Sequence, residues 1–238
     1  MEQLLLAWFS QNGRDLPWRK TRDPYAILVS EVMLQQTQVE RVIPRWLAWL
    51  ERWPTPAALA AASPGDVIRE WQGLGYNRRA ISLHRAAQVV AATAWPDDLT
   101  ALPGVGLYTA AAIRNQAYGE PILPVETNVS RIQERTGHAF GPGALQALFD
   151  LGATVCLARV PRCDACPLAA RCPSRGRRYD PLRKQSRFEG SFRQRRAALL
   201  RLVAVEAQPV ERLDREAVDS LLRDGLVEQS GELVRLPV

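Results

Sequence analysis

The sequence lacks several features that would assign a class at once. No uninterrupted apolar run reaches membrane-spanning length, and residues 1–14 have neither the basic flank nor the small-residue cleavage site of a secretory signal. A soluble cytoplasmic protein is therefore expected, with no membrane partner. Lysine is nearly absent: only Lys20 and Lys184 occur, so the 31 basic residues are almost all arginine. There are four cysteines and no internal repeat or low-complexity tract. What is present, 238 residues with 47% hydrophobic and 24% charged content, suffices for one large domain or two small ones.

The formal net charge of +6 is unevenly placed. Between Arg171 and Arg201 eleven Lys/Arg face two acids, a local +9 that leaves the remainder of the chain at −3. The protein reads as a slightly acidic body with a basic strap, which suits either a solvated linker or a segment that contacts phosphate.

Most segments carry helical grammar. Ser63-Pro64-Gly65-Asp66 places a cap, a proline at the first helical position and an acid in the first turn; Val67, Ile68 and Trp71 form an apolar face, and Gly73 and Gly75 stop it. Leu83, Ala87 and Val90 share one face of the next helix, and Trp95-Pro96 closes that region. Strand-like alternation begins only at 197–205, and residues 214–222, 226–229 and 232–236 read as a helix followed by a hairpin, a small winged-helix-like unit.

Cys156, Cys163, Cys166 and Cys172 fall within seventeen residues, spaced C-x6-C-x2-C-x5-C. Such clustering in a chain without secretory features argues against disulfides and for a four-thiolate metal site. The spacing suits zinc and an iron–sulfur cubane alike. Leu102-Pro103-Gly104-Val105-Gly106-Leu107-Tyr108-Thr109-Ala110 reads as a helix end, a tight glycine turn and a new helix. Two glycines expose backbone N–H groups and the helix N-terminus adds partial positive charge, a place for one DNA phosphate without any lysine. An isolated G-x-G is as readily an ordinary connection between helices. Taken alone, Glu31 reads as a solvated helix residue and Glu126 as a loop acid.

Together these strings resemble a known family. Asp150-Leu151-Gly152-Ala153 ahead of Cys156, with Pro161-Arg162-Cys163-Asp164-Ala165-Cys166-Pro167-Leu168 and Cys172, is similar to the cluster segment of the endonuclease III superfamily. The L-P-G-V-G-x-x-T-A string resembles its helix-hairpin-helix motif and lies roughly fifty residues before the first cysteine, in the family's order. Leu16-Pro17-Trp18-Arg19, Thr21-Arg22-Asp23-Pro24-Tyr25 and Ser30-Glu31-Val32-Met33-Leu34-Gln35-Gln36-Thr37-Gln38 resemble the adenine glycosylases that act opposite 8-oxoguanine and their relatives that remove thymine from mismatches. The likeness covers roughly residues 7–175.

The resemblance implies an all-α fold: two helical domains with a DNA-binding cleft between them, a helix-hairpin-helix motif and a [4Fe-4S] cluster loop, followed by a small α+β C-terminal tail. The expected division is 1–22 with 129–175 as the cluster domain, 23–128 as a helical barrel domain, 176–196 as a basic linker and 197–238 as the C-terminal extension. It implies a [4Fe-4S] cluster on the four cysteines, with Arg159 and Arg162 directed to DNA from the loop between the first two. Glu31 matches the glutamate that protonates or hydrogen-bonds the departing base, and Gln36 the glutamine that fills the gap left in the duplex. Leu102, Gly104, Val105 and Gly106 grip phosphate, while Tyr108, Gln36 and Asn77 line the substrate pocket. The chemistry is sound, because a flipped base leaves poorly unless it receives a proton. The expected partner is double-stranded DNA, the expected state a monomer, the expected location cytoplasmic and nucleoid-associated, and the process implied is base excision repair.

Five departures shape the reading. Pro124-Val125-Glu126-Thr127-Asn128-Val129-Ser130-Arg131 resembles V-D-T-x-V-x-R, but Glu126 replaces the aspartate that stabilises the cationic sugar. Tyr108 stands where bifunctional members carry a Schiff-base lysine, so a monofunctional enzyme is expected. Asn77 stands where adenine glycosylases usually have a second aromatic, and the tail after Gly190 is short for a domain that recognises 8-oxoguanine. The stretch 135–149 is roughly one helix shorter than the family's connection. Two functions remain open: a monofunctional glycosylase excising adenine or thymine/uracil, and a weakly catalytic or non-catalytic relative that binds distorted duplex.

Overall fold

The structure, a computed structural model, describes residues 1–178 and 187–238. In chain order its helices are α1 (Glu2–Asn12), α2 (Pro24–Leu34), α3 (Val39–Arg52), α4 (Pro56–Ala60), α5 (Pro64–Glu70), α6 (Arg78–Thr93), α7 (Leu107–Tyr118), α8 (Thr127–Thr136), α9 (Leu145–Thr154), α10 (Phe192–Val205) and α11 (Arg215–Arg223). The described strands are β1 (Gln208–Pro209), β2 (Glu228–Ser230) and β3 (Leu233–Arg235). The chain divides into two compact units, one of residues 1–24 and 107–184, the other of residues 25–106 and 185–238. Among the described residues, no helix is long and apolar enough to cross a membrane.

The first unit packs α1, α8 and α9 around Leu5, Val129, Ile132, Phe140, Leu148 and Leu151. Its connection from α8 to α9 is brief: Gly137 ends α8 in the left-handed conformation, and a single 3-10 turn at Pro142–Ala144 leads into α9. Asp150, fully buried in α9, ties the N-terminal segment to this core. Its two oxygens accept from the Arg14 backbone N–H at 2.7 Å, from Arg14 Nε at 2.8 Å and from both terminal nitrogens of Arg19 at 2.7 and 2.9 Å.

The second unit is built on α2. Tyr25 to Met33 are all buried, as expected of a helix apolar on every side. The Tyr25 hydroxyl donates to Trp53 O at 3.0 Å and Trp46 Nε1 to Ala26 O at 2.8 Å, fixing the helix at its first turn. Trp49, Trp53 and Trp71 meet edge to face behind it, with ring centres 4.7 and 5.5 Å apart. The Ser63 cap forms as the sequence predicts, its hydroxyl accepting from the Asp66 N–H, and Leu83, Ala87 and Val90 are buried on α6.

The C-terminal residues differ from the alternating strand expected at 197–205, where the structure has α10. Leu199, Leu200 and Val203 are buried while Leu202 and Val205 are exposed, so the pattern follows one helical face rather than the two-residue period of a strand. The hairpin forms as β2 and β3, and β1 pairs with the other edge of β3, all antiparallel. Leu199, Leu200, Val218, Leu221 and Val234 form one core that also takes in Ile68 of α5 and Ile81 of α6. The Gly65 N–H at the start of α5 donates to Pro237 O at 2.9 Å, and a Cβ at Gly65 would lie 2.6 Å from that oxygen. The strap's Arg183 and Lys184 lie outside the described residues. Arg195 pairs with Asp214 and Glu216, and Arg196 with Ser220 and Asp224.

Burial alone would raise the Asp150 carboxyl, but the hydrogen bonds from Arg19 and Arg14 outweigh it and hold the group below its ordinary value. Its stabilising contribution is therefore complete above about pH 4 and is lost as pH falls through the depressed pKa. Asp150→Asn should destabilise the protein by about 3 kcal/mol at neutral pH, since two arginines lose their counter-charge. Thermal melts from pH 7 to pH 3 should show the difference from the unmutated protein shrinking only at the acid end.

Candidate functional site

Glu31 is the one charged residue of α2 and is 5% exposed, two turns along a helix otherwise made of apolar and small side chains. Just beyond α2 the chain turns sharply: Gln36 has φ +55 and is exposed, and Thr37 N–H donates back to Leu34 O. The Gly73–Tyr76 turn carries three more positive φ values, at Gly73, Gly75 and Tyr76, and presents Tyr76 to solvent at 46% exposure. Asn77 follows, half-buried, at the start of α6.

The glycine hairpin lies in the same unit up to Gly106. A short 3-10 turn, Leu99–Ala101, is capped by Asp98, whose carboxylate accepts from Thr100 N–H. Leu102 and Val105 are buried, and the Val105 N–H closes the turn on Leu102 O at 3.1 Å. Gly104 and Gly106 are exposed. Gly104 has φ +79, and a Cβ there would sit 2.7 Å from Ser82 Cβ, so glycine is needed for conformation and for contact. Leu107 then opens α7, with Tyr108 half-buried in its first turn.

In the other unit Glu126 caps α8. Its Oε1 accepts from the Val129 N–H at 3.2 Å, the geometry of a side chain satisfying an orphan helix donor. One turn on, Arg131 is 4% exposed and joins three segments: Nε donates to Cys156 O at 2.9 Å, and one terminal nitrogen donates to Asn128 Oδ1 at 2.5 Å and to Gly152 O at 2.9 Å. Burial lowers the Arg131 pKa, while Cys156 and Glu126 pull it back up.

Arg135 reaches the cysteine segment itself. Its guanidinium donates to Cys156 Sγ at 3.3 Å and to Leu157 O and Ala158 O at 2.9 Å each, and the Gly176 N–H donates to Cys163 Sγ at 3.1 Å. The four cysteines are free thiols that line one cavity with Ile132, Arg135 and Leu168. Burial pushes the Cys166 thiol up, and each of the other three sulfurs adds to the rise. N–H donors thus reach the sulfurs of Cys156 and Cys163. Among the described residues no three His, Cys, Asp or Glu side chains converge as a single ion requires. Arg159 and Arg162 are exposed on the loop between the first two cysteines.

The structure thus brings the cysteines together, and in separate units it places a buried acid on α2 and a capping acid on α8. Sequence reasoning missed Arg79, which bonds to backbone on two loops, and the roles of Arg131 and Arg135. Arg131 stood inside a recognised string, but nothing in its spacing signalled that backbone carbonyls would be its partners.

Residues 29–146 match the HhH-GPD superfamily of base excision DNA repair proteins. An adenine DNA glycosylase of Mycolicibacterium smegmatis is 41% identical, the match covering 96% of this chain and 92% of that protein. It extends over 272 aligned residues, more than the 238 of this chain, so the relative carries segments that this chain lacks. The human adenine DNA glycosylase is 39% identical over 73% of this chain and 39% of its own length. Among solved structures, a thermostable thymine-DNA glycosylase superposes with a TM-score of 0.66 at 25% identity, covering 73% of this chain and 94% of that one. A trapped endonuclease III–DNA covalent intermediate superposes with a TM-score of 0.63 at 22% identity, covering 73% of this chain and 92% of that one, and shares the fold. The chain therefore belongs to the HhH-GPD superfamily of base excision DNA repair proteins. A DNA glycosylase role comes with that membership.

Gly104→Ala should lower stability by more than about 1 kcal/mol, because it adds a clash to a positive φ. Gly106→Ala meets open space and should cost less. Thermal unfolding of the two variants side by side checks the turn geometry.

Proposed function

We propose that the chain is a monofunctional DNA glycosylase that hydrolyses the N-glycosidic bond of a mispaired adenine. The observation that carries this reading is Glu31: a single carboxyl held out of water on an otherwise apolar buried helix is suited to giving its proton to a departing base. Adenine rather than thymine or uracil is favoured by relatives named adenine DNA glycosylase that align with 88% or more of their own length.

In this reading the target nucleotide leaves the stack, Gln36 fills its place, and Tyr108 and Asn77 line the pocket. Glu31 donates a proton to a base nitrogen as the bond from C1′ to the base nitrogen breaks, and the electron pair leaves with the base. The Glu126 carboxylate stabilises the cationic sugar, and water adds at C1′ as it gives a proton to the Glu31 carboxylate, which leaves an abasic site and restores the acid. Tyr108 has no amine with which to form a Schiff base, so the strand stays intact. The backbone of 102–106 and the exposed Arg159 and Arg162 take phosphates of double-stranded DNA.

The four thiols line one shared cavity, and the likeness of their segment to the endonuclease III cluster segment favours a [4Fe-4S] cluster as their occupant. When bound, the cluster would cross-link Cys156, Cys163, Cys166 and Cys172 into one loop. Arg135 and the Gly176 N–H would serve its sulfurs.

One observation favours the second reading, a DNA-binding relative without activity: an oxygen of Glu126 is already engaged by the Val129 N–H. Duplexes with adenine opposite 8-oxoguanine or guanine, and with thymine or uracil opposite guanine, separate the two when treated with hot alkali after incubation. Adenine release is expected, with strand breaks only after alkali and no borohydride-trapped adduct. Glu126→Gln keeps a capping oxygen, so fold and duplex affinity should persist while excision falls about 100-fold or more. Binding without excision on every duplex would establish the second reading instead, and full activity in Glu126→Gln would remove Glu126 from the chemistry. The purified protein should contain iron and absorb visible light; a colourless zinc protein would overturn the cluster assignment.

A further inference from the structure

Among the described residues three non-glycine residues have positive φ, and two of them, Gln36 and Tyr76, stand in neighbouring loops of the second unit. Such a conformation persists only where surrounding contacts over-determine it. One side chain supplies those contacts to both loops. Arg79, half-buried at the first turn of α6, donates from Nη1 to Val32 O at 2.7 Å, Met33 O at 3.1 Å and Gln35 O at 2.6 Å. From Nη2 it donates to Thr37 Oγ1 at 3.1 Å, Leu74 O at 3.2 Å and Gly75 O at 3.0 Å. Its guanidinium carbon lies 5.3 Å from the Trp71 ring centre and 5.5 Å from that of Tyr76. The carbonyls on the α2 side are the last, electronegative ones of that helix, where a cation belongs.

We propose that Arg79 is a positioning residue for duplex engagement, its planar fork locking the Gln36 loop to the Gly73–Tyr76 turn so that both enter DNA as one rigid edge. The role rests on the reading of Gln36 as the residue that fills the duplex gap. Lysine would not replace it, because a single ammonium has three donors at one point and cannot span acceptors on two loops. Burial lowers the guanidinium pKa to about 10, which leaves it charged at neutral pH.

Three variants of the full chain test this. Arg79→Lys keeps charge and stem, Arg79→Met keeps the stem alone, and Gln36→Ala is the reference for the loop's work on DNA. In free protein, hydrogen exchange should quicken at residues 35–38 and 73–77 in both Arg79 variants while α3 keeps its protection. Unchanged exchange in those loops overturns the proposal. On a mismatched duplex, Arg79→Lys and Gln36→Ala should each weaken binding about tenfold, and the double variant should be no worse than about tenfold, because both changes disable one device. Multiplying losses, about 100-fold together, or wild-type binding by Arg79→Lys overturns it. If Gln36→Ala binds as the unmutated protein does, the gap-filling reading of Gln36 fails alone, and hydrogen exchange still decides for or against Arg79.

Discussion

Keeping water from one carboxyl, that of Glu31, is what much of the second unit does. Nine consecutive residues of α2 are buried, which requires apolar partners on every side of the helix. Trp46 and Tyr25 spend their polar atoms on fixing that helix to α3 and its end, and the tryptophan group behind it supplies rigid bulk. Neither fixing bond can be omitted cheaply, because a buried indole N–H or phenol without an acceptor is itself destabilising.

The second carboxylate lives under a different constraint. Glu126 stands where a helix begins, and a helix N-terminus both needs an acceptor and favours a negative charge. The same oxygen atoms that would steady a cationic sugar are thus drawn to the backbone of α8. Glutamate has one methylene more than the aspartate of the resembled motif, and its Oε1 still caps the helix three residues on. Arg131, one turn on, ties this helix to Gly152 and Cys156 through carbonyl oxygens, and Arg135 adds bonds to the segment that follows.

Much of this was legible in the sequence where chemistry is written in residue types. Four close cysteines announce a thiolate site, two glycines in a fixed string announce a turn, and Ser63 before a proline announces a helix start. The alternation at 197–205 misled because leucine and valine follow one another so closely there that a two-residue and a helical period both fit; packing on Ile68 and Ile81 selects the helix. The arginine hubs were not legible at all. Arg79, Arg131 and Arg135 bind backbone carbonyls, which every residue carries, so no side-chain pattern marks their partners. Glu126 was read for charge, and its capping bond depends on a backbone angle that spacing does not reveal.

Four adjacent residues of α6 face four different clients. Arg79 holds the two loops, Ala80 is wholly buried, Ile81 belongs to the core shared with the C-terminal residues, and Ser82 lies under Gly104 of the hairpin. Each step along a helix turns the side chain by about 100°. Inserting or deleting one residue within this stretch would therefore turn the residues on one side of the change by about 100° against those on the other and misaim several clients at once, whereas a conservative exchange at any one position would disturb a single client. Length in this short stretch is under tighter constraint than composition, and natural variation there should run to substitutions and not to gaps.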